Sequence, residues 1–546
     1  MSPTRRVRLG AGLLTTILLS LAISTPSRAQ YSLFAPAAAR SSDFLVDPLL
    51  RSPGLAGMGR LTLVGEDPHH RINLWDLGGN PAGVAMADSV STLDLRPGAA
   101  SSSDVFDQQG SSAGMLREAQ AARTGDLGYE FWRRQGRLAY GAVGNLGTVR
   151  LDQTYSDDVE HRQQFTSPTA NAVINGLVPY TRSGNTRYAI DVHWSREQVD
   201  SHYLSIVQNG AGDFITLDSE ARNPPNVFVP EIFDIERLGA GLTVAQVFGP
   251  WLTAAVGYNG IAERIDGSNP DKRNSSETHE VRPYNIGQAT LIGRVGPHLE
   301  WGVDGRGWKA QSEASWNFTI SSGQGAIPLS GRGKLLERDE EGSSMRSRAI
   351  WHQGSVDVGA GLNTDYRKVT ITPPALTDQT SFNYFLNTVY HTPTADSLAL
   401  PDSVSADIAS LYAWEAGGGL AWHLRERRGL VGIEYHRARV LEVTALGGEG
   451  PKRITWDVRT GIEYRSTPGL ALRAGYQYRW DDLDDFTKGN EYYSNLVTGG
   501  LGLTPHGSAW TIDLSYGVRW VRADYGSPSE PHGGRQQLVS QVHWAF

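Results

Sequence analysis

The chain of 546 residues contains no cysteine. That removes disulfide frameworks and every metal site built on thiolate ligands. Its body also lacks a long apolar run: beyond residue 29 nothing approaches the ~18 uninterrupted apolar residues that a membrane-crossing helix needs. Basic blocks are missing too. The formal net charge is −8, spread along the sequence, whereas nucleic-acid binding calls for a clustered basic patch. Neither the zinc-protease pattern His-Glu-x-x-His nor an Asn-His-x-Ser-Asn-Gly stretch occurs. A hydrolase needs a nucleophile or activated water beside a base and an orienting group, and isolated His and Asp residues do not supply one. The expectation is a protein that is not an enzyme and carries neither cofactor nor metal.

What is abundant is glycine, 62 residues, and aromatic side chains, including 15 Trp and 21 Tyr. They sit in a pattern of strict alternation, the mark of a strand with two unlike faces. In Leu470–Trp480, one face carries Leu470, Leu472, Ala474, Tyr476, Tyr478 and Trp480, and the other Ala471, Arg473, Gly475, Gln477 and Arg479. Trp510–Trp520 and Ile454–Tyr464 repeat the scheme, as do Tyr188–Trp194 and Leu299–Val303. These strands read as about 11 to 14 residues long, against a usual five or six in soluble sheets, and their aromatics gather near the strand ends. A soluble sandwich also alternates. Length and terminal aromatics favour a transmembrane barrel, whose tilted strands need about 9–11 residues and carry aromatic girdles at both interfaces. Lipid offers no hydrogen-bond partner, so backbone groups must pair between strands and the sheet must close.

The connections fit. Short turns at 134–137, 248–251, 294–298, 352–355, 425–429, 465–469 and 504–508 alternate with long stretches at 152–183, 209–234, 265–281, 311–342 and 371–409. Outer-membrane barrels have short periplasmic turns and long external loops. The expected fold is all-β: a closed antiparallel transmembrane β-barrel of about 14–18 strands, an even number, spanning 89–546. Strand 1 is placed near 90–97; 112–125 and 200–208 show no clear period.

The N-terminus reads as a secretion signal over 1–29. Arg5, Arg6 and Arg8 precede the apolar run Leu9–Ile23, and Ser27-Arg28-Ala29 supplies small residues for cleavage after Ala29. The C-terminus alternates to its end, with Val542, Trp544 and Phe546 on one face. That ending resembles the C-terminal signature of outer-membrane barrels, which implies a partner, the barrel-assembly machinery, pairing with the final strand. The localisation expected is the outer membrane, with its lipid as a second partner.

Residues 30–88 do not alternate. They contain Gly57-Met58-Gly59, the apolar run Leu61–Val64, the acidic pair Glu66-Asp67 and Asn80-Pro81-Ala82-Gly83. This segment resembles the start of FadL-type outer-membrane proteins, the long-chain fatty-acid transporter family, and of related barrels that escort cargo in type IX secretion. The match is strong over about 40 residues. The resemblance implies that 30–88 folds into the lumen as a hatch, with Asn80, Pro81, Ala82 and Gly83 as its motif, and that a small, hydrophobic ligand crosses by passive diffusion. Three features depart from the family: Arg60 where a small residue is usual, a longer and more polar insert at 68–79, and more strands than the family's 14. From the residues alone, Asn-Pro-Ala-Gly is a turn: Pro81 fixes its own φ and biases Asn80 to extended geometry.

The other faces of the strands are polar, with Asp457, Arg459, Glu463, Arg473, Arg479, Asp513 and Arg519 expected to face the lumen, alongside Gln477. Two roles fit them: charged rings that sort solutes, or opposite charges paired across strands to fill the interior. Three further stretches bear on chemistry. "WDDLDDF" (480–486) reads as an acidic external loop without the spacing of an EF-hand. His69 and His70 beside Asp67 are too few for a metal site. "PEIFDIERL" (230–238) reads as a short helix capping the mouth through Phe233 and Ile235. A general diffusion porin and a non-transport scaffold for secreted proteins are the alternative functions.

Overall fold

The computed structural model describes Met58, residues 61–64 and, from Ser91 to Ala545, the strands and most of the tight turns joining them. Residues 1–57, 65–90 and Phe546 lie outside the description, and with them the signal segment, Glu66-Asp67, both early histidines and Asn80–Gly83.

Among the described residues there is no helix, and 21 strands form one antiparallel sheet. β1 (Thr92–Gln109), β2 (Met115–Gln135) and β3 (Leu138–Asp157) pair in sequence. β4 (Arg162–Asn175) and β5 (Tyr180–Ser183) share one place in the ladder, both lying between β3 and β6 (Thr186–Asp200). The hairpin of β7 (His202–Gln208) and β8 (Phe214–Asp218) extends from β4. β6 then pairs with β9 (Ile232–Val247), which opens a run of consecutive neighbours: β10 (Leu252–Asn269), β11 (Asn274–Val295), β12 (Leu299–Ile320), β13 (Leu329–Gln353) and β14 (Val356–Thr372). The run continues through β15 (Asp407–Leu424), β16 (Gly429–Val443), β17 (Glu449–Thr467), β18 (Leu470–Asp484), β19 (Asn490–Leu503), β20 (Trp510–Asp524) and β21 (His532–Ala545). β21 pairs back onto β1, from Thr92↔Ala545 to Val105↔His532, so the ladder returns to its first strand.

The tight turns are where the sequence places them. Four of them, at one end of the strands, put Gly249, Gly296, Gly354 and Gly507 at φ between 60° and 76°, the left-handed region that only glycine enters at little cost.

The strands are longer than alternation suggests. β11 and β12 have 22 residues each and β13 has 25, where 11 to 14 were expected. The stretches read as long loops at 265–281 and 311–342 are largely strand, and β4 lies inside 152–183. Residues 232–238 begin β9, so the helix expected at 230–238 is not there. The physical reason is that alternation needs two unlike surroundings. Where the exposed face is polar as well, as in "ERDEEGSS" of β13 with Arg338 and Glu340 buried and Glu337, Asp339 and Glu341 exposed, the strand pairs its backbone without showing a hydrophobic period.

The two faces are inverted relative to a soluble protein. On β20, Thr511, Asp513, Ser515 and Arg519 are buried, while Trp510, Ile512, Leu514, Tyr516 and Trp520 are exposed. On β16, Glu434 and His436 are buried and Ile433 and Tyr435 exposed; on β18, Arg473, Gln477 and Asp481 are buried and Leu472, Tyr476 and Tyr478 exposed. Charged residues are almost never fully buried unless paired, and contiguous exposed apolar surface marks contact with something other than water.

The exposed face also carries its aromatics in two belts. Trp251, Trp351, Trp422, Tyr464 and Trp510 stand beside the tight turns, and Trp510 stacks on Trp544 with ring centroids 5.0 Å apart. Farther along, Trp456 stacks on Trp480 at 4.1 Å, and Trp480 on Tyr493 at 6.3 Å. On β20, Trp510 and Trp520 are ten residues apart. At a rise of about 3.4 Å per residue and a tilt near 45°, that is about 24 Å of height, the thickness of an outer-membrane apolar band.

Candidate functional site

All seven charged residues expected at the lumen lie on strands of the buried-polar face, and they are paired. Arg473 Nε donates to Glu463 Oε2 at 2.7 Å, and its Nη1 to Asp513 Oδ1 at 2.5 Å. Arg459 Nη2 donates to Asp457 Oδ2 at 2.6 Å, and Gln477 Nε2 donates to the same oxygen at 2.8 Å. Arg519 Nη2 reaches Gln477 Oε1 at 3.4 Å. Arg479 Nε donates to Asp481 Oδ2 at 2.8 Å. Arg473 and Gln477 reach across to other strands, while Arg459 and Arg479 pair with carboxylates two residues away on their own strands; together they fill the interior face.

Asp481 belongs to the stretch expected as an external acidic loop. The structure puts 480–484 inside β18, and Asp481 is buried, held by Arg479, Arg453 and Thr455. An oxygen already accepting from arginines is a poor calcium ligand, and no group of residues suited to a metal ion occurs among the described residues. Phe233 and Ile235 fall within β9. A Gly-x-Ser-x-Gly spacing occurs at Gly110–Gly114, which lies outside the described residues.

Sequence reading missed a second charge network, because it lies on strands taken for loops. Arg282 donates to Glu280 at 2.6 Å and to Glu263 at 3.2 Å. Arg237 meets Glu263 at 2.5 Å, Arg338 lies 3.5 Å from Glu280, and Arg367 pairs with Glu340 at 2.9 Å. A third cluster lies near the tight turns, where Asp357 holds His352 and His423, each at 2.7 Å.

The most distinctive site joins the N-terminal segment to this buried face. Met58, Leu61, Leu63 and Val64 are buried in one cluster with Ala421 of β15 and Leu430 of β16. Their backbone is gripped by Glu434, whose side chain is completely buried. Oε1 accepts from the amides of Thr62 at 2.9 Å, Leu63 at 2.6 Å and Val64 at 2.8 Å; Oε2 accepts from Thr62 N at 2.8 Å. Successive backbone amides converging on one anion form a nest. His436 Nε2 lies 3.0 Å from Oε2, and its Nδ1 lies 3.2 Å from Glu415. Arg348 donates to Leu63 O at 2.6 Å, and Arg459 to Thr62 Oγ1 at 3.2 Å.

Glycines make room for this contact. A Cβ on Gly432 would stand 2.6 Å from Leu61 Cδ1, one on Gly359 2.7 Å from Val64 Cγ1, and one on Gly361 2.9 Å from Leu63 Cδ2; one on Gly461 would overlap the Met58 carbonyl. Glycine inside a strand often marks close approach of another backbone. That period-two glycine pattern in β14–β17 was the available signal, and it went unread.

Of the expected C-terminal assembly residues, Val542 and Trp544 are partly buried in β21, and Phe546 lies outside the description.

No family model and no curated protein matches the chain. Among solved structures it is similar to the Pseudomonas putida toluene transporter TodX, with 11% identity, covering 90% of this chain and 97% of that one at a TM-score of 0.35. A Pseudomonas aeruginosa FadL homologue gives 12% identity, 90% and 98% coverage and a TM-score of 0.33. The ferric yersiniabactin receptor FyuA of Yersinia pestis gives 9% identity, 84% and 80% coverage and a TM-score of 0.40. Scores below 0.5 transfer no residue role; the strand pairing above carries the architecture.

Proposed function

We propose that this chain is a closed, eighteen-stave barrel of the outer membrane through which a small hydrophobic molecule crosses by passive diffusion. The staves are the 21 strands with β4 and β5 counted as one and the β7–β8 hairpin set aside. One observation carries the reading: the sheet buries its charges and exposes its Trp, Leu, Ile and Val. Such a sheet is stable only where lipid covers the exposed face. Residues 30–88 then serve as the hatch, with 58–64 its anchored part and Asn80–Gly83 its turn. Asp457, Arg459, Glu463, Arg473, Arg479, Asp513 and Arg519 line the lumen as paired charges. Outer-membrane lipid and the assembly machinery, acting through Val542, Trp544 and Phe546, are its partners.

An apolar segment seated on the inner wall favours a plugged conduit over an open porin.

The test is entry of radiolabelled toluene into cells expressing the full chain, beside single-channel recording. Faster toluene entry with near-zero steady conductance is the expected result. A large, constant ion current would replace the reading with a porin. Neither entry nor current, together with co-purification of a secreted protein, would make it a scaffold.

A further inference from the structure

The aromatic belt far from the tight turns is interrupted at one strand. On β15, Trp414 and Tyr412 are exposed, and Tyr412 packs on Tyr366 of β14 with ring centroids 5.1 Å apart. On β17 and β18, Trp456 stacks on Trp480 at 4.1 Å. Between these groups lies β16, whose exposed positions at that height are Arg437 and Arg439. Arg437 stands opposite Trp456, and Arg439 opposite Trp414. We propose that this arginine pair docks the phosphate of a glycolipid in the outer leaflet. The inference rests on the outer-membrane reading above and adds to it one specific lipid on the outer surface of the wall.

The first argument is the pairing of charge. Other arginines on the exposed face beyond the belt are neutralised: Arg196 lies 2.6 Å from Asp234, and Arg264 2.7 Å from Asp266. Arg437 and Arg439 make no ion pair among the described residues. Arg437 instead lies over the ring of Trp456, its guanidinium carbon 5.6 Å from the centroid. The described carboxylate on the exposed side of the same row is Asp482, two strands from Arg439 through Ile454, about 10 Å away at ordinary strand spacing. Two exposed cations facing an acyl-chain boundary call for an anion supplied from outside the chain. Near the interface a lipid-facing arginine is tolerated, unlike one at mid-bilayer.

The second argument is geometric. Arg437 and Arg439 are two residues apart on one face, about 7 Å along the strand, so both side chains can reach one phosphate group. A guanidinium fork matches phosphate oxygens two at a time and is less strongly hydrated than an ammonium group. The face of Trp456 supports Arg437 through its ring and leaves the N–H donors to an anion. Nearer the tight turns on the same strand, Ile433 and Tyr435 are exposed. A molecule held at the arginines therefore has an apolar wall for its chains below its headgroup. In the membrane proposed above the tight turns are periplasmic, which puts this height in the outer leaflet, where the phosphate is carried on a glycolipid.

The test uses the full chain purified in detergent and native mass spectrometry of bound lipid. The probes are bisphosphorylated lipid A, the same lipid with its phosphates removed, and phosphatidylglycerol. The wild type is expected to bind lipid A about tenfold more tightly than either other probe. Arg437→Gln with Arg439→Gln is expected to abolish that preference, while Arg264→Gln, which alters a paired arginine of the same face, leaves it intact. Unfolding in vesicles checks that the double variant is folded. A folded double variant that binds lipid A as the wild type does would overturn the proposal. Equal binding of lipid A and its dephosphorylated form by the wild type would overturn it without recourse to any variant. Equal binding of phosphatidylglycerol would replace the glycolipid with anionic lipid in general. A chain that enters vesicles but shows no lipid preference leaves the outer-membrane reading standing and ends this one; a chain that does not enter vesicles ends both.

Discussion

The wall has two unlike halves. From β16 to β20 the strands have 14 to 19 residues, their faces alternate cleanly, and their charges pair within the membrane-thick belt. From β10 to β14 they have 17 to 25 residues, and the network of Glu263, Glu280, Arg282, Arg338 and Glu340 lies far from the tight turns. In the first half the exposed face is apolar and the buried face pairs its charges, the division that the proposed contact with lipid would impose. In the second half the buried face still pairs its charges, but the exposed face carries Glu337, Asp339 and Glu341, as a wall continued beyond that contact would. Strand length is set by hairpin pairing, while hydrophobic alternation reports only where one face is apolar.

Four substitutions can break or sharpen this contrast. The largest effect is expected from Arg473→Met, which takes the buried arginine from both Glu463 and Asp513 and leaves Glu463 only the partly exposed Arg465. Breaking a buried charge pair costs about 3–5 kcal/mol, so urea unfolding in lipid vesicles should show a loss of that order. Next comes Leu514→Arg. Leu514 lies on the exposed face of β20, midway between Trp510 and Trp520. A cation at the bilayer midplane costs about 2–4 kcal/mol, read by the same assay; an unchanged midpoint would remove lipid from that face. Arg282→Met on the long half should cost less, about 1.5–3 kcal/mol, because the buried Glu263 keeps Arg237 and the buried Glu280 keeps Arg338. The smallest effect belongs to Val281→Lys. Val281 is on the exposed face of β11, 14 residues from the strand end at Val295, so a charge there should change the midpoint by about 1 kcal/mol or less. A loss from Val281→Lys equal to that from Leu514→Arg would show that both halves sit in lipid and would end the distinction.

This contrast also explains what the sequence could show. Trp510–Trp520 and Leu470–Trp480 were legible because hydrocarbon on one side and paired charge on the other impose a period of two. The run 230–238 was misread because Ile232, Phe233 and Ile235 at the start of β9 follow no strict alternation, and a helix fits such spacing equally well. Asp481 and Asp482 were taken together as loop residues, yet successive strand residues point to opposite faces, and Asp481 turns inward to two arginines. Glu434 was invisible for a different reason. Its partner is the backbone of a segment some 370 residues earlier, and backbone amides leave no compositional trace. Only the glycines opposite that segment hinted at it.

The seam between β1 and β21 sets an order of events. Asp94 there accepts from Gln541 and contacts His543, at 2.6 and 2.8 Å, across a separation of 447 positions for the first pair. Bringing such distant partners together costs the most chain entropy of any joint in the sheet. Until it forms, β1 and β21 each present an unmatched row of donors and acceptors, ready to take up a foreign strand. Biogenesis therefore has a vulnerable interval whose length is fixed by the slowest joint, and a lesion at Asp94 should appear as accumulated, strand-hungry precursor before it appears as any defect in the finished wall.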